Sequence, residues 1–268
     1  MPRCIDCGKH SLFLALSPDG RCNSCQVAYE SRIQKERRAA FIQRKKDEFA
    51  SELASIPCVS GPFTGPKIEK RSIADIADLK YSRITAQTKR QSAANFVVVD
   101  TETTGVRAAS AIIEVSAIKF SDFKPVEILS TLIKPARPIP QEATRINKIT
   151  NEMVSNAPRI WDIMPALNTF VSGLPLVGHN LSFDLGYLYR DGLDLLPKQK
   201  FYDTLSIARH TLKGRKGDED FDYDVYDYKL DTLCEYYGIL FSGAHRASAD
   251  ALATGKLFYE LVDARTSL

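Results

Sequence analysis

Four consecutive apolar residues, Phe96-Val97-Val98-Val99, run into Asp100-Thr101-Glu102, and this junction constrains the chain more than any other stretch. An apolar, β-branched run of this length reads as a strand buried on both faces. Side chains two apart on a strand share a face, so Asp100 and Glu102 stand side by side at the margin of an apolar core. Like charges so placed repel unless one is protonated or a cation lies between them. Two hard oxygen ligands on rigid backbone suit Mg²⁺ or Mn²⁺. The same residues also read as a solvated strand end, with Thr103-Thr104-Gly105 making the turn.

The 268 residues allow one sizeable domain and a smaller module. Cys4-x-x-Cys7 and Cys22-x-x-Cys25 open the chain. Each pair turns two thiolates toward one point, and tetrahedral Zn²⁺ takes four. Residues 1–27 therefore read as a zinc-binding module resembling a zinc ribbon, with a strand at 12–16 and a turn at Pro18-Asp19-Gly20; a reduced cluster that binds nothing is the alternative. No apolar signal core or membrane-spanning run is visible, so a cytoplasmic protein without membrane contact is expected. Reduced cysteines fit that compartment.

Residues 28–55 contain no Gly or Pro and read as a long helix. Arg32, Lys35, Arg37, Arg38, Arg44, Lys45 and Lys46 make it basic. It reads either as an arm along phosphate backbone or as a solvated helix. Pro57, Gly61, Pro62, Gly65 and Pro66 mark 56–94 as a linker with a short helix. Residues 1–94 carry 17 Lys/Arg against 10 Asp/Glu, and residues 95–268 carry 19 against 23. The basic excess thus lies outside the segment that holds the carboxylates.

From 95 to 265 strands precede helices, which predicts an α/β layer fold. Strands are expected at 111–120, 127–134 and 174–178. Helices are expected at 159–171, 182–189, 204–212, 229–237 and 248–262. Pro135, Pro138 and Pro140 mark an irregular loop. Residues 213–228 read as a charged loop, acidic at Asp218, Glu219, Asp220, Asp222, Asp224 and Asp227. Asp184, His245 and Asp250 complete the set of reactive side chains. Taken singly, the aspartates read as carboxylates at helix N-termini and His245 as a loop histidine beside Gly243.

Taken in order, FVVVDTETTG, VGHNLSFDLGYL and HRASADALAT resemble the three motifs of DnaQ-like 3′–5′ exonucleases of the DEDDh class. The resemblance runs from about Phe96 to Val262 and includes ATRINKIT, YDTLSIAR and LDTLCEYYGI. It implies a ribonuclease H-like mixed sheet flanked by helices, preceded here by the zinc module and basic helix. It further implies that Asp100, Glu102, Asp184 and Asp250 hold two Mg²⁺ or Mn²⁺ ions; one structural Zn²⁺ is expected separately, from the cysteine pairs. His245 would be the general base, since imidazole titrates near neutrality, on a loop that closes over substrate. Thr103, Thr104, Glu142 and Asn147 would contact the terminal nucleotide, and Phe183 would either pack a base or sugar or belong to the core. Where many relatives read Ile-His-Gly-Ile-Thr, this chain has Ile146-Asn147-Lys148-Ile149-Thr150. Asp203 reads as a helix cap.

The expected activity is release of nucleoside 5′-monophosphates from the 3′ end of single-stranded DNA. RNA or short oligonucleotides are the rival substrates, and a non-catalytic nucleic-acid or protein-binding module is the rival class. A protein partner through the zinc module is a further expectation.

Overall fold

The structure is a computed structural model that describes residues 1–11, 14–216 and 222–266. Leu12, Phe13 and the centre of the acidic loop, with Asp218, Glu219 and Asp220, lie outside the described residues. Two compact units divide the chain, Met1–Glu48 and Phe49–Leu268. No described helix is long and apolar enough to cross a membrane.

In the first unit, single bridges join Arg3 to His10 and Leu16 to Cys22. The described part of the strand expected at 12–16 is reduced to that one bridge. Helix α1 (Asn23–Ser55) begins inside the second cysteine pair, five residues before the expected start. The Cys22 carbonyl accepts from the Gln26 N–H at 2.9 Å, so the cysteine turn leads straight into the first helical turn. Through residue 48 the helix is mostly exposed. Pairs one turn apart line its surface, Arg32–Glu36 and Arg44–Glu48 at 3.8 Å and Gln43–Asp47 at 2.8 Å, each a weak support for an exposed helix.

The second unit is built on a five-stranded sheet in the order β3-β2-β1-β4-β5. β1 (Phe96–Thr103), β2 (Ile112–Ser121) and β3 (Lys124–Leu132) form an antiparallel meander. β4 (Leu176–Gly178) and β5 (Phe201–Asp203) continue it in parallel beyond β1. β1 alternates between two cores. Phe96 and Val98 face a cluster with α5 (Thr204–Thr211), α6 (Leu230–Tyr236) and α7 (Ala247–Thr266). Val97 and Val99 face α3 (Ile160–Val171) and α4 (Leu181–Arg190). Gly255 lets α7 settle closely on β2, since a Cβ there would lie 2.1 Å from Phe120 Cζ. Phe120 in turn stacks on Phe96 with ring centres 4.7 Å apart.

Two elements escaped the sequence pattern. α2 (Gln141–Asn147) lies where prolines suggested irregular chain, but Pro140 precedes its first turn, where a missing N–H costs nothing. β5 spans three residues, too few for any periodicity.

Residues 56–94 do not hang free as a linker. Val59 N–H donates to Ile128 O at 2.7 Å and the Ile128 N–H to Pro57 O at 2.9 Å, along the outer edge of β3. Ser82 N–H donates to Phe201 O at 2.7 Å on β5, the opposite edge. Between these points the Arg71 N–H reaches Arg190 O at 2.9 Å, and Gly65 lies so close to the Trp161 carbonyl that a Cβ would come within 2.3 Å. One strap thus covers both open edges of the sheet, a known hazard for aggregation. A chain starting at residue 49 should therefore melt cooperatively. A chain starting at residue 95 should aggregate or melt more than about 10 °C lower, several kcal/mol for a domain of this size; equal melting of the two would refute the role of the strap.

Candidate active site

β1 carries its alternation past the apolar run, so Asp100 and Glu102 emerge on the face covered by α7, where Val98 points. Asp250 arrives there from the first turn of α7. Oxygens of Asp100, Glu102 and Asp250 lie within 4.8 Å of one another. Burial foremost, and then the neighbouring carboxylates, push Asp100 well above the usual carboxylate range. The same causes raise Glu102 to about 8. Asp250, chiefly by burial, rises to about 7. Three half-buried carboxylates facing one another form an all-oxygen donor set suited to a divalent cation. The nearby guanidinium, of Arg246, is engaged by Glu114 at 2.7 Å.

Asp184 approaches from the other face of β1. Its Oδ1 accepts from the Thr101 N–H at 2.9 Å and from the Thr101 hydroxyl at 2.7 Å. It stands outside the three-oxygen cluster, yet after burial it is the largest charge acting on Asp100. Burial raises its own carboxyl to about 7, against the Thr101 bonds that lower it.

His245 is exposed, with φ at 64°, a left-handed conformation uncommon for a side-chain-bearing residue. Its backbone N–H donates to Asp250 Oδ2 at 3.0 Å. The expected nucleotide contacts are dispersed. Thr103 Oγ1 donates to Gly105 O at 2.7 Å, and Thr104 Oγ1 accepts from Ala111 N–H at 2.9 Å, so both hydroxyls shape the turn after β1. Asn147 is buried; its amide donates to Thr103 O at 3.4 Å and its Oδ1 accepts from Ile149 N–H at 3.1 Å. A bond from Asn147 also favours the charged form of Glu102. Asn147 therefore braces the end of β1. Glu142 is exposed on α2, and Phe183 is half-buried edge-on to Tyr187 with ring centres 5.0 Å apart. Asp203 caps α5 through the Leu205 N–H at 3.2 Å and also accepts from the Asn180 N–H at 2.8 Å, tying the start of α4 to β5.

In the first unit, the sulfurs of Cys4, Cys7, Cys22 and Cys25 lie within 4.8 Å of one another. Cys4 Sγ accepts from the Cys22 N–H at 3.2 Å. Backbone N–H groups of Cys7 and then Cys22 lower the Cys4 thiol to about 6, while hydrogen bonds to Cys22 and Cys7 raise Cys25 to about 12. Four convergent sulfurs match a closed tetrahedral zinc site.

Residues 97–258 match a family model described as exonuclease, RNase_T. The chain belongs to this exonuclease family. It is 35% identical over 172 residues to the DNA polymerase III subunit epsilon of Treponema pallidum, covering 62% of this chain and 76% of that protein. It is 32% identical over 183 residues to a PolC-type DNA polymerase III of Caldanaerobacter subterraneus, covering 67% of this chain but only 12% of that protein. E. coli exonuclease I in complex with a dT13 oligonucleotide shares the fold, with a TM-score of 0.54 at 23% identity over 65% of this chain and 42% of that one. The exonuclease match begins after the strap, so the zinc-type module, α1 and the strap stand outside it.

Sequence reasoning passed over Thr101, Glu114 and Arg246. Glu114 carried a signal: a charged residue inside Ile112-Ile113-Glu114-Val115, where both faces of the strand are buried. The raised carboxyls generate a pH dependence. A carboxyl with a higher pKa folded than unfolded keeps its proton in the fold while the unfolded chain has lost it. Stability then falls as pH rises from about 4, the unfolded value, toward about 8, where Glu102 ionises in the folded protein. Without added metal the melting temperature should be lower at pH 8 than at pH 5.5. Added Mg²⁺ should raise it more at pH 8, and Asp100→Asn should abolish that gain. A metal-free melting temperature indifferent to pH would contradict the burial argument.

Proposed function

We propose that this protein is a metal-dependent 3′–5′ exonuclease that shortens single-stranded DNA and releases nucleoside 5′-monophosphates. The observation that carries the reading is the half-buried trio Asp100, Glu102 and Asp250, whose oxygens converge within 4.8 Å in a chain of the exonuclease family. Asp100, Glu102 and Asp250, with Asp184 beside them, would hold two divalent ions, Mg²⁺ or Mn²⁺. When bound, such ions supply an acidified water and charge neutralisation at the leaving 3′ oxygen.

The chain's own residues do the rest. His245, joined to Asp250 through its backbone, accepts the proton of the attacking water. Thr101 favours the charged form of Asp184 and aims it by donating two hydrogen bonds to one oxygen. Asn147 stabilises the charged form of Glu102. The turn formed by Thr103 and Thr104 offers backbone polar groups to the terminal nucleotide. DNA is the preferred polymer because the relatives are DNA polymerase III proteins and exonuclease I binds a dT13 oligonucleotide.

The four cysteines would hold one Zn²⁺, and α1 would add phosphate contacts. On a helical wheel Arg32, Lys35, Arg38, Lys45 and Lys46 fall within about 140° of arc, while Arg37 and Arg44 fall on the other side among Glu30, Glu36, Asp47 and Glu48.

5′-Labelled single strands of DNA and RNA, incubated with Mg²⁺ or Mn²⁺, should separate the polymers. A ladder shortening from the 3′ end is expected on DNA, with Asp100→Ala reducing the rate at least about 10³-fold, as loss of a group central to charge stabilisation does. The rate on a long strand should fall more steeply with salt than the rate on a dinucleotide. A ladder on RNA alone would overturn the DNA assignment, and no ladder on either would overturn catalysis. Metal analysis of the full chain should return about one zinc, as a closed site of four thiolates requires; a folded zinc-free protein would refute that part.

A further inference from the structure

The register of the sheet sets Glu114 on β2 directly opposite Glu102 on β1. Opposed residues of an antiparallel pair point to the same face, with Cβ atoms about 5 Å apart. A fourth carboxylate therefore stands against the trio, 3% exposed. Its partners lie on the segment that carries His245 and Asp250. Arg246 grips it as a fork: Nη2 donates to Oε1 at 2.7 Å, and Nε donates to Oε1 at 3.2 Å and Oε2 at 3.1 Å. The backbone N–H of Ala247, first residue of α7, donates to Oε2 at 2.9 Å. Glu114 thus caps α7 from another strand while holding its last preceding side chain.

We infer that Glu114 and Arg246 are positioning residues that fix His245 and Asp250 relative to Asp100 and Glu102. The inference rests on the exonuclease reading for its catalytic consequence and on the geometry alone for its structural one. Two links support it. Capping by Glu114 sets where the first turn of α7, and so Asp250, meets β1. Arg246 sits between that turn and His245, whose backbone is left-handed and whose N–H is bonded to Asp250.

Glu114→Gln keeps the shape and removes the charge. Steady-state kinetics on a single-stranded oligonucleotide should show kcat lowered about 10- to 100-fold, the scale of an ångström-level misplacement, with KM within about threefold. Hydrogen exchange should show lost protection in residues 243–250 and unchanged protection in β1. Arg246→Lys, which keeps charge and loses the fork, should reproduce both effects and serves if Glu114→Gln does not fold. Wild-type kcat with unchanged protection in either folded variant would overturn the inference. An inactive wild type whose 243–250 protection still disappears in Glu114→Gln would overturn the exonuclease reading while upholding the clamp.

Discussion

Mutual repulsion among half-buried carboxylates is the constraint on which the second unit turns. Asp100, Glu102 and Asp250 converge from β1 and α7, and burial raises each of them. A metal-free protein carries this arrangement as a cost, because the same residues would be more stable hydrated. What holds them together is the apolar structure beneath: β1 is fully buried along Phe96-Val97-Val98-Val99, and α7 lies close on β2 through Gly255. The stable interior supplies the free energy that keeps the charged edge assembled.

The edge is organised by which face of β1 each group approaches. Asp100 and Glu102 meet Asp250 on the α7 face, whereas Asp184 comes from α4 on the opposite face and is moored on Thr101. Thr101 lies between Asp100 and Glu102 in sequence but points to the other side, so one short strand serves both halves of the site. Glu114 adds a carboxylate paired with Arg246 across the ladder and ties the start of α7 to β2. The sheet itself is sealed by residues 56–94, which bond at β3 and at β5.

Much of the fold was legible because it depends on local pattern. The β-branched runs, the helical spacing of Ile160, Ile163, Met164 and Leu167, and the shift from strands to helices all point to a mixed α/β unit, and the structure has it. Asp203 was legible as a cap from its place before a helix. The strap was not: proline and glycine signal interrupted secondary structure, and backbone bonds to distant sheet edges leave no periodic trace. α2 was hidden by the same prolines, and β5 by its length. At the candidate site, the pairing of Asp100 with Glu102 followed from strand alternation. Asn147, expected to face a nucleotide, is instead buried against the end of β1.

The sequence by itself determined the chemistry on offer: two cysteine pairs, a carboxylate pair at a buried strand end, and the ordered motifs that carry the family. These are properties of residue type and spacing, set within a few residues of chain. Only the tertiary structure decided which groups meet. It grouped Asp250 with Asp100 and Glu102, set Asp184 on Thr101, and gave Glu114 to Arg246, a pair 132 residues apart in the chain. Such contacts depend on the register of β1 against β2 and on the depth at which α7 packs, and both are fixed by the summed fit of two apolar cores rather than by any single motif.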